Sequence, residues 1–451
     1  MSFEGEFAHY EPLRRVLDNE KVKDFLSKMK IRETSTVTEE AISKVLNKPQ
    51  LQKNSAIQPD LVLAIDGSFV EAPVKHGYPN ANMGYVTVAS VLIDLKKLEK
   101  LEFEEFPDPK AVRNTENVGS VESVFPGCNV FTENESPKET YRRILYEELK
   151  DKKVFESGET LLETYEVLLK YHIQNPVRAK SPIENFEDKE MTIDFGKYTC
   201  PYSGKALYSS DALRLHELMN PMGSNGELFG QTMSTLEKLW FMNIIRYFEK
   251  ENLLSTLRRI AFFIDGPLAI FSTDAWLKDS ICKELARINE IQKSINGSDL
   301  LIIGLEKSGT FFNHFVELDT ERDGNIGKFP KEGILLLDDN YIKKNIIISE
   351  STKPYGADTY FGRKFFYKAK AGQLLVPVLP FFTNYQKDTK TANPDQFPRL
   401  SDALALLDKM VSNQYPNSIM PLISAHAEAA IPLNIGSKIF EQIAREIRER
   451  K

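Results

Sequence analysis

Leu61-Val62-Leu63-Ala64-Ile65-Asp66-Gly67-Ser68 is the stretch from which the fold of this chain can be predicted. Five apolar residues followed by an acid, a glycine and a hydroxyl are typical of a buried strand that ends in a tight turn. Burying an unpaired carboxylate costs several kcal/mol. We therefore expect the Asp66 side chain to face a polar site rather than the core.

A second strand of the same kind follows roughly 200 residues later: Ala261-Phe262-Phe263-Ile264-Asp265-Gly266-Pro267. Two apolar strands that both lead into Asp-Gly can lie side by side in one sheet. We expect the carboxylates of Asp66 and Asp265 to come together there and to share a divalent cation.

The composition is that of an ordinary folded protein. The chain has 451 residues, a formal net charge of -7, 41% hydrophobic residues and 27% charged residues. This length allows two or three domains, or one elaborated domain. The negative balance disfavours coating of nucleic acid by the whole surface, although a nuclease can concentrate positive charge in one groove.

Several features favour a cytoplasmic protein without membrane contact. No apolar run reaches the roughly 18 residues needed to span a bilayer, and the acidic residues 1–6 contain no signal-peptide core. Three widely spaced cysteines, Cys128, Cys200 and Cys282, favour a reducing compartment.

Cys200 begins what resembles half a zinc knuckle, but no second cysteine lies near Ser203, so we expect no zinc. His216, on a predicted helix at residues 211–217, is the only other local candidate for a ligand. A histidine on such a helix is more often structural than a metal ligand.

The chain is predicted to be an α/β protein with a helical arm at residues 1–55 and one main domain at residues 56–451 that carries a large insertion at about 97–230. Residues 61–70 and 84–95 are rich in β-branched and apolar residues and predict an antiparallel pair of strands. This opening is typical of an RNase H-like mixed sheet flanked by helices, and it suits many other mixed α/β folds.

The second Asp-Gly strand is predicted to begin a βαβ unit. A predicted helix at residues 273–291 and a predicted strand at residues 300–305 follow it at the appropriate spacing. Further strands are predicted at residues 334–341 and 374–379, and a last helix is predicted at residues 437–448.

Three more polar residues are candidates for the same site. Glu237 lies within the mostly apolar face of a predicted helix at residues 230–250, where it is either a solvated position or a metal ligand that projects toward the strand ends. His426 lies among small residues that leave room for an approaching group, although a structural histidine in a packed helix is the alternative. Lys307 follows a predicted strand end.

The residue types of this set suit phosphodiester chemistry. Asp66, Glu237 and Asp265 supply hard oxygen ligands, which Mg²⁺ and Mn²⁺ favour. With two ions roughly 4 Å apart, one can activate water and the other can stabilise the leaving oxygen. His426 can join the second ion or shuttle a proton, and Lys307 can hold the scissile phosphate.

Residues 355–370 interleave basic and aromatic side chains more densely than any other stretch. Basic groups can bind phosphates and aromatic rings can stack on bases. One hypothesis is therefore a DNA-binding surface, and the other is a surface hairpin whose aromatic side chains pack on the sheet. The residues that would bind DNA are Arg363, Lys364, Tyr367 and Lys368.

From residue 61 onward the chain resembles the NurA family of DNA-repair nucleases. The resemblance implies an RNase H-like core, a toroidal homodimer, Mn²⁺-dependent exonuclease and endonuclease activity, and partnership with the hexameric DNA translocase HerA in end resection. It also implies that Asp66, Glu237 and Asp265 are metal ligands and that His426 is catalytic or metal-binding. The matching pieces are Ile65-Asp66-Gly67-Ser68, the helix with Glu237, Ile264-Asp265-Gly266-Pro267-Leu268, the strand ending near Lys307, and His426-x-x-Ala429-x-Ile431.

The chain also departs from the family pattern. Pro267 stands where the family often has a small polar residue, and the insertion is long, like that of bacterial members. Glu249 and Glu251 lie nearer to Asp265 in sequence than Glu237 does, so the identity of the ligating glutamate stays open.

Two other functions compete with the nuclease. An actin-like or sugar-kinase-like ATPase also places Asp-Gly turns at two strand ends, but it would need a Gly-rich loop late in the chain, where only Ile435-Gly436-Ser437 is found. A non-catalytic scaffold that binds DNA and a translocase is the second alternative.

Overall fold

The computed structural model describes residues 11–29, 35–48, 58–74, 80–97, 116–173, 178–320, 327–411 and 419–430. The predicted helix at residues 437–448 and the motif residue Ile431 lie outside these ranges. The chain divides into two compact units, Met1–Lys44 and Val45–Lys451.

The first unit is helical in its described part, as the apolar spacing predicts. It contains α1 (Glu11–Asp18), α2 (Glu20–Lys28) and α3 (Ser35–Ser43). Asn19 caps α2, because its side-chain oxygen accepts a hydrogen bond of 2.9 Å from the Lys21 N–H.

The second unit combines strands and helices along the whole described chain. Its strands are β1 (Leu46–Asn47), β2 (Leu61–Pro73), β3 (Asn82–Asp94), β4 (Glu116–Pro126), β5 (Arg178–Lys180), β6 (Glu190–Thr192), β7 (Lys197–Thr199), β8 (Ala206–Tyr208), β9 (Ile260–Asp265), β10 (Leu301–Glu306), β11 (Gly333–Leu336), β12 (Gly362–Lys368) and β13 (Leu374–Pro380). Its α-helices are α4 (Pro137–Asp151), α5 (Leu161–His172), α6 (Gly226–Lys250), α7 (Leu277–Asn296), α8 (Thr310–Asp319), α9 (Asp339–Asn345), α10 (Asn384–Lys387), α11 (Leu400–Met410) and α12 (Met420–Ala429). Short 3₁₀ turns lie at Ser209–Leu213, Leu215–Leu218, Leu254–Arg259, Ser272–Asp274 and Pro394–Gln396.

One mixed sheet organises this unit and confirms the predicted α/β class. Its nine strands run in the order β1-β11-β12-β13-β10-β9-β2-β3-β4. The central strands β2, β9 and β10 are parallel to one another, and the other neighbours are antiparallel. The predicted antiparallel pair is therefore β2 and β3, and the predicted βαβ unit is β9-α7-β10.

The turn predicted after Asp66 is wrong. β2 continues through Gly67 to Pro73, because its antiparallel pairing with β3 extends as far as Pro73 opposite Asn82. Its parallel pairing with β9 ends earlier, at Ile65 opposite Ile264. Asp66 therefore lies in mid-strand, at the point where one of the two neighbouring strands ends.

Two further elements differ from the prediction. β4 was not predicted, yet it pairs with β3 along its length and forms one edge of the sheet. The helix expected around His216 consists instead of two 3₁₀ turns, separated by Arg214 at a left-handed φ of 57°.

Alternate residues of the central strands pack into two different cores. On β2, Leu63 and Ile65 belong to the core that contains the apolar face of α6, including Trp240. Val62 and Ala64 belong to the opposite core, which contains α11 and α12. The period of two along a strand thus fixes which helix each side chain meets.

None of the helices in the described ranges is both long enough and apolar enough to cross a membrane.

The burial of His314, a residue of α8 in the second unit, can be tested through its effect on stability. The ring is buried and its Nε2 lies 2.9 Å from the Tyr341 hydroxyl. Burial lowers the pKa of His314 to about 4. Below about pH 6.5 this histidine takes up a proton in the unfolded chain but not in the folded chain. The unfolding free energy is therefore highest above pH 6.5 and decreases as the pH falls toward 4.

We predict that His314→Gln weakens this pH dependence. Between pH 7.5 and pH 5, the wild type should lose about 2 kcal/mol more unfolding free energy than the variant. Urea unfolding at both pH values measures the difference. An equal loss in the two proteins would contradict the buried, neutral histidine.

Candidate functional site

Asp66 and Asp265 lie side by side, as predicted. The pairing of β2 with β9 ends at Ile65 opposite Ile264, so the two aspartates occupy the next position on each strand. By the alternation of the strands, both point toward the side of the sheet that α12 covers. Asp66 is almost fully buried.

Glu237 reaches the same place from the other side of the sheet. It is buried on α6, so the solvated position considered from the sequence is wrong. The side chain passes over Gly67, where a Cβ would lie 2.9 Å from Glu237 Oε1 and 2.8 Å from Met233 Cγ. Only glycine at position 67 leaves enough room for the Glu237 carboxylate at its observed position.

The alternative glutamates face elsewhere. Glu249 forms two hydrogen bonds of 2.6 Å with Arg287, and Glu251 is the exposed residue that ends α6. Glu237 is the one of the three whose charge acts on Asp66.

Each of two lysines pairs with one carboxylate of this site. Lys238 is buried and its Nζ lies 3.0 Å from Glu237 Oε2. Lys307 is partly exposed and its Nζ lies 2.8 Å from Asp265 Oδ1. The angles of that second contact do not make a hydrogen bond, so Asp265 Oδ1 remains buried without one.

His426 approaches Asp66 from α12. Its Nδ1 lies 2.9 Å from Asp66 Oδ2, and more than half of its side chain is exposed. The structural histidine considered from the sequence is therefore wrong, since this ring is not packed within the helix layer. The described structure thus brings all five predicted residues together near the ends of β9 and β10, at the centre of the sheet: Asp66, Glu237, Asp265, Lys307 and His426.

The carboxylates repel one another in a poorly solvated place. Burial, together with the negative charges of Asp265 and Glu237, raises the pKa of Asp66 to about 8. Burial also raises the pKa of Glu237, against the effect of Lys238. A cluster of this kind is stabilised by taking up protons or cations.

The donor set has the chemistry that a hard divalent cation requires. It offers carboxylate oxygens, one of them without a hydrogen bond, and excess negative charge. In their present orientations, however, the described residues include no group of three or more His, Cys, Asp or Glu side chains that could hold a metal ion. Each of the three carboxylates instead faces a cationic or imidazole group of the protein.

The four residues predicted to bind DNA do not form a surface. They belong to β12, an interior strand of the sheet on which every residue is buried. Arg363 donates hydrogen bonds to the carbonyls of Gln386, Asp388 and Thr391, and its guanidinium lies over the Phe397 ring at 4.8 Å. The prediction was wrong for these side chains: Arg363, Lys364, Tyr367 and Lys368.

The two lysines of this strand are neutralised within the protein. Lys364 Nζ lies 2.6 Å from Glu306 and 3.6 Å from the centre of the Phe311 ring. Lys368 Nζ lies 2.7 Å from Asp319 Oδ1. Buried cations with such partners serve the packing of the protein rather than phosphate binding.

Two other residues singled out in the sequence lie away from the site. Cys200 is buried in a small apolar cluster with Met191 and Leu207. His216 is buried, and burial holds its pKa well below the usual range. Both have the environment of structural residues.

Sequence comparison assigns the chain to a family. The NurA domain matches residues 60–431. The chain belongs to the NurA family. No curated protein matches it significantly.

Solved NurA structures resemble the chain only distantly. The NurA nuclease from Sulfolobus solfataricus is 11% identical with a TM-score of 0.34, over 98% of this chain and 99% of that one. A second NurA structure is 9% identical with a TM-score of 0.29, over 99% of each chain. A NurA structure with manganese is 11% identical with a TM-score of 0.26, over 98% of each. At such low TM-scores, family membership depends on the sequence match alone.

Two features of the site were missed in the sequence. Gly67 was interpreted as a turn residue, whereas it provides the space through which Glu237 passes. Lys238 was not considered, and no sequence pattern indicates its contact with Glu237, because adjacent residues of a helix do not normally face each other.

We predict that Gly67→Ala displaces Glu237 and lowers stability by about 1–3 kcal/mol, because the new Cβ overlaps two side chains. Gly119→Ala on β4 is the matched control, since a Cβ there would make an ordinary contact of 3.5 Å with Ser90. Urea unfolding compares the two. Equal unfolding free energies would show that position 67 is not constrained.

We also predict that Lys368→Met costs about 3–5 kcal/mol, because it leaves Asp319 charged and buried without its partner. Lys293→Met, which breaks an exposed ion pair with Asp299, should cost less than about 1 kcal/mol. Chemical unfolding of both variants provides the measurement. Similar losses would argue against a structural role for Lys368.

Proposed function

We propose that this NurA-family chain is a metal-dependent nuclease that hydrolyses phosphodiester bonds of DNA. The observation that carries the proposal is the convergence of three carboxylates, Asp66, Glu237 and Asp265, beside His426 and Lys307. Burial and the negative charges of Asp265 and Glu237 raise the pKa of Asp66 to about 8, and burial raises the pKa of Glu237. Carboxyl groups perturbed in this way are more frequent at functional sites than elsewhere. The NurA nuclease of Sulfolobus solfataricus belongs to the same family.

Asp66, Glu237 and Asp265 are the residues that would hold Mn²⁺ or Mg²⁺, with His426 as a further ligand. One or two such ions, when bound, supply an activated water and neutralise charge on the phosphate. A NurA structure with manganese supports the choice of metal.

The remaining groups have roles that follow from their positions. Asp66 fixes one ring nitrogen of His426 and leaves Nε2 free to accept or donate a proton. Lys307 places an ammonium group at the partly exposed edge of the site, where it can contact a phosphate oxygen.

Three further features belong to the same proposal. The sheet is an RNase H-like core, extended by an arm at residues 1–55 and an insertion at about 97–230. The chain forms a homodimer, and exposed apolar side chains of α1 and α2 suit such a contact. A HerA-type hexameric translocase delivers the DNA. This partner is useful because a chain with a net charge of -7 attracts DNA weakly by itself.

We predict that the protein cleaves labelled linear DNA with Mn²⁺ or Mg²⁺ and does not cleave it in EDTA. Asp66→Ala and Asp265→Ala should each lower the rate by more than about 100-fold, since even outer-shell partners of a metal are worth 10- to 100-fold. Both variants should remain folded, because each removes one of three mutually repelling carboxylates. Assays on single- and double-stranded substrates measure the effect.

Asp358→Ala is the control, because that aspartate forms only an exposed ion pair with Lys353. It should cut like the wild type. Cleavage that persists in EDTA, or an Asp66→Ala variant of unchanged rate, would refute the proposed site.

A further inference from the structure

The three groups that face the carboxylates differ in their access to solvent. The side chain of His426 is 59% exposed and that of Lys307 is 27% exposed, so either can turn into water when a cation binds the carboxylate beside it. The side chain of Lys238 is only 4% exposed. A buried ammonium group without a partner is strongly unfavourable. If a divalent cation displaces Lys238 from Glu237, the ammonium group therefore needs a second acceptor inside the protein.

Asp274 is a buried carboxylate that is paired with no cation. It ends the 3₁₀ turn at Ser272–Asp274, which follows β9, and it is fully buried. Its Oδ2 accepts a hydrogen bond of 2.6 Å from the Thr235 hydroxyl, and its Oδ1 accepts one of 3.0 Å from Gln231 Nε2. Both donors are neutral, and burial raises the pKa of Asp274 to about 6. Aspartates are almost never fully buried unless they are paired, so this one is an unusual feature of the core.

The face of α6 that holds Asp274 continues to Lys238. Gln231, Thr235 and Lys238 are spaced i, i+4 and i+7, so they lie along one face of the helix. Glu237 precedes Lys238 by one residue and therefore points about 100° away around the helix axis. Lys238 bends sideways to Glu237, although its own face of the helix leads to Asp274 and its charge already acts on that carboxylate.

We propose that Asp274 is a positioning residue of the metal site and the second acceptor of the Lys238 ammonium group. In the metal-free protein the ammonium group lies on Glu237, and it turns to Asp274 when a divalent cation binds Glu237. The flexible four-carbon stem of lysine permits this movement. Repulsion between the ammonium group and the cation favours it, because a poorly solvated site screens charges weakly. This inference rests on the proposed function, in which Glu237 holds the cation.

The test measures Mn²⁺ binding, by electron paramagnetic resonance of the free ion, in four proteins: wild type, Asp274→Asn, Lys238→Met and the double variant. Asp274→Asn should fold, because asparagine has the same shape and its amide group can donate to the Thr235 hydroxyl. In the wild-type background it should weaken Mn²⁺ binding roughly 10- to 100-fold, as the loss of outer-shell partners of a metal does. In the Lys238→Met background it should leave binding nearly unchanged, since no ammonium group then needs the acceptor.

The two backgrounds separate the proposed movement from a general loss of negative charge, which would weaken binding equally in both. Asp279→Asn is the matched control, because it removes the same charge from an exposed ion pair with Lys278. It should bind Mn²⁺ like the wild type.

A second measurement decides the matter if Lys238→Met does not fold. Urea unfolding of Asp274→Asn in EDTA should give at least the wild-type stability, because Asp274 has no cationic partner in the metal-free protein. At a fixed Mn²⁺ concentration the variant should gain less stability than the wild type, since it binds the ion more weakly. Equal gains in the two proteins, or a loss already present in EDTA, would argue for a purely structural Asp274.

The alternative is that a cation binds Glu237 through Oε1 and leaves Lys238 on Oε2. Asp274→Asn would then bind Mn²⁺ like the wild type, which overturns the inference, as does an equal loss in both backgrounds. The proposed function survives either result if Mn²⁺ binding and cleavage still require Asp66. If the wild type binds no Mn²⁺, the proposed metal site and this inference both fail.

Discussion

The mutual repulsion of three carboxylates at the centre of the sheet is the constraint on which the rest of the site depends. Parallel pairing places Asp66 beside Asp265, and Gly67 admits Glu237 from the opposite layer. Such a concentration of negative charge is stable only with compensation, which Lys238, Lys307 and the raised pKa of Asp66 provide. The surrounding cores fix these groups in place, because β2 is packed against α6 on one face and against α12 on the other.

Much of this arrangement could be predicted because it follows from local pattern. Apolar runs that lead into Asp-Gly mark two buried strands that can lie side by side in one sheet. Their parallel direction is seen only in the structure. Glu237 could be proposed but not chosen over Glu249, because only packing tells which turn of a 25-residue helix faces the strands. β4 was not predicted because it is an edge strand in a charged part of the sequence. Its polar and apolar residues alternate, and this weak pattern does not stand out there.

The stretch of basic and aromatic residues shows where sequence pattern fails. Alternating basic and aromatic side chains look alike on an exposed strand and on an interior one. β12 differs because acidic residues from other elements pair with its lysines: Glu306 pairs with Lys364, and Asp319 pairs with Lys368. The latter two residues are 49 positions apart in the sequence. Burial of these lysines depends on tertiary neighbours that no local window contains.

The hydrogen bond between Asp66 and His426 spans 360 residues of chain. β2 and β3 can pair early during synthesis, since they are adjacent in sequence. The apolar face of β2 that α12 covers then remains exposed until the ribosome has synthesised most of the protein. Long-range contacts of this kind slow folding and leave surface available for aggregation. The nascent chain therefore has a long interval in which a chaperone can bind that face.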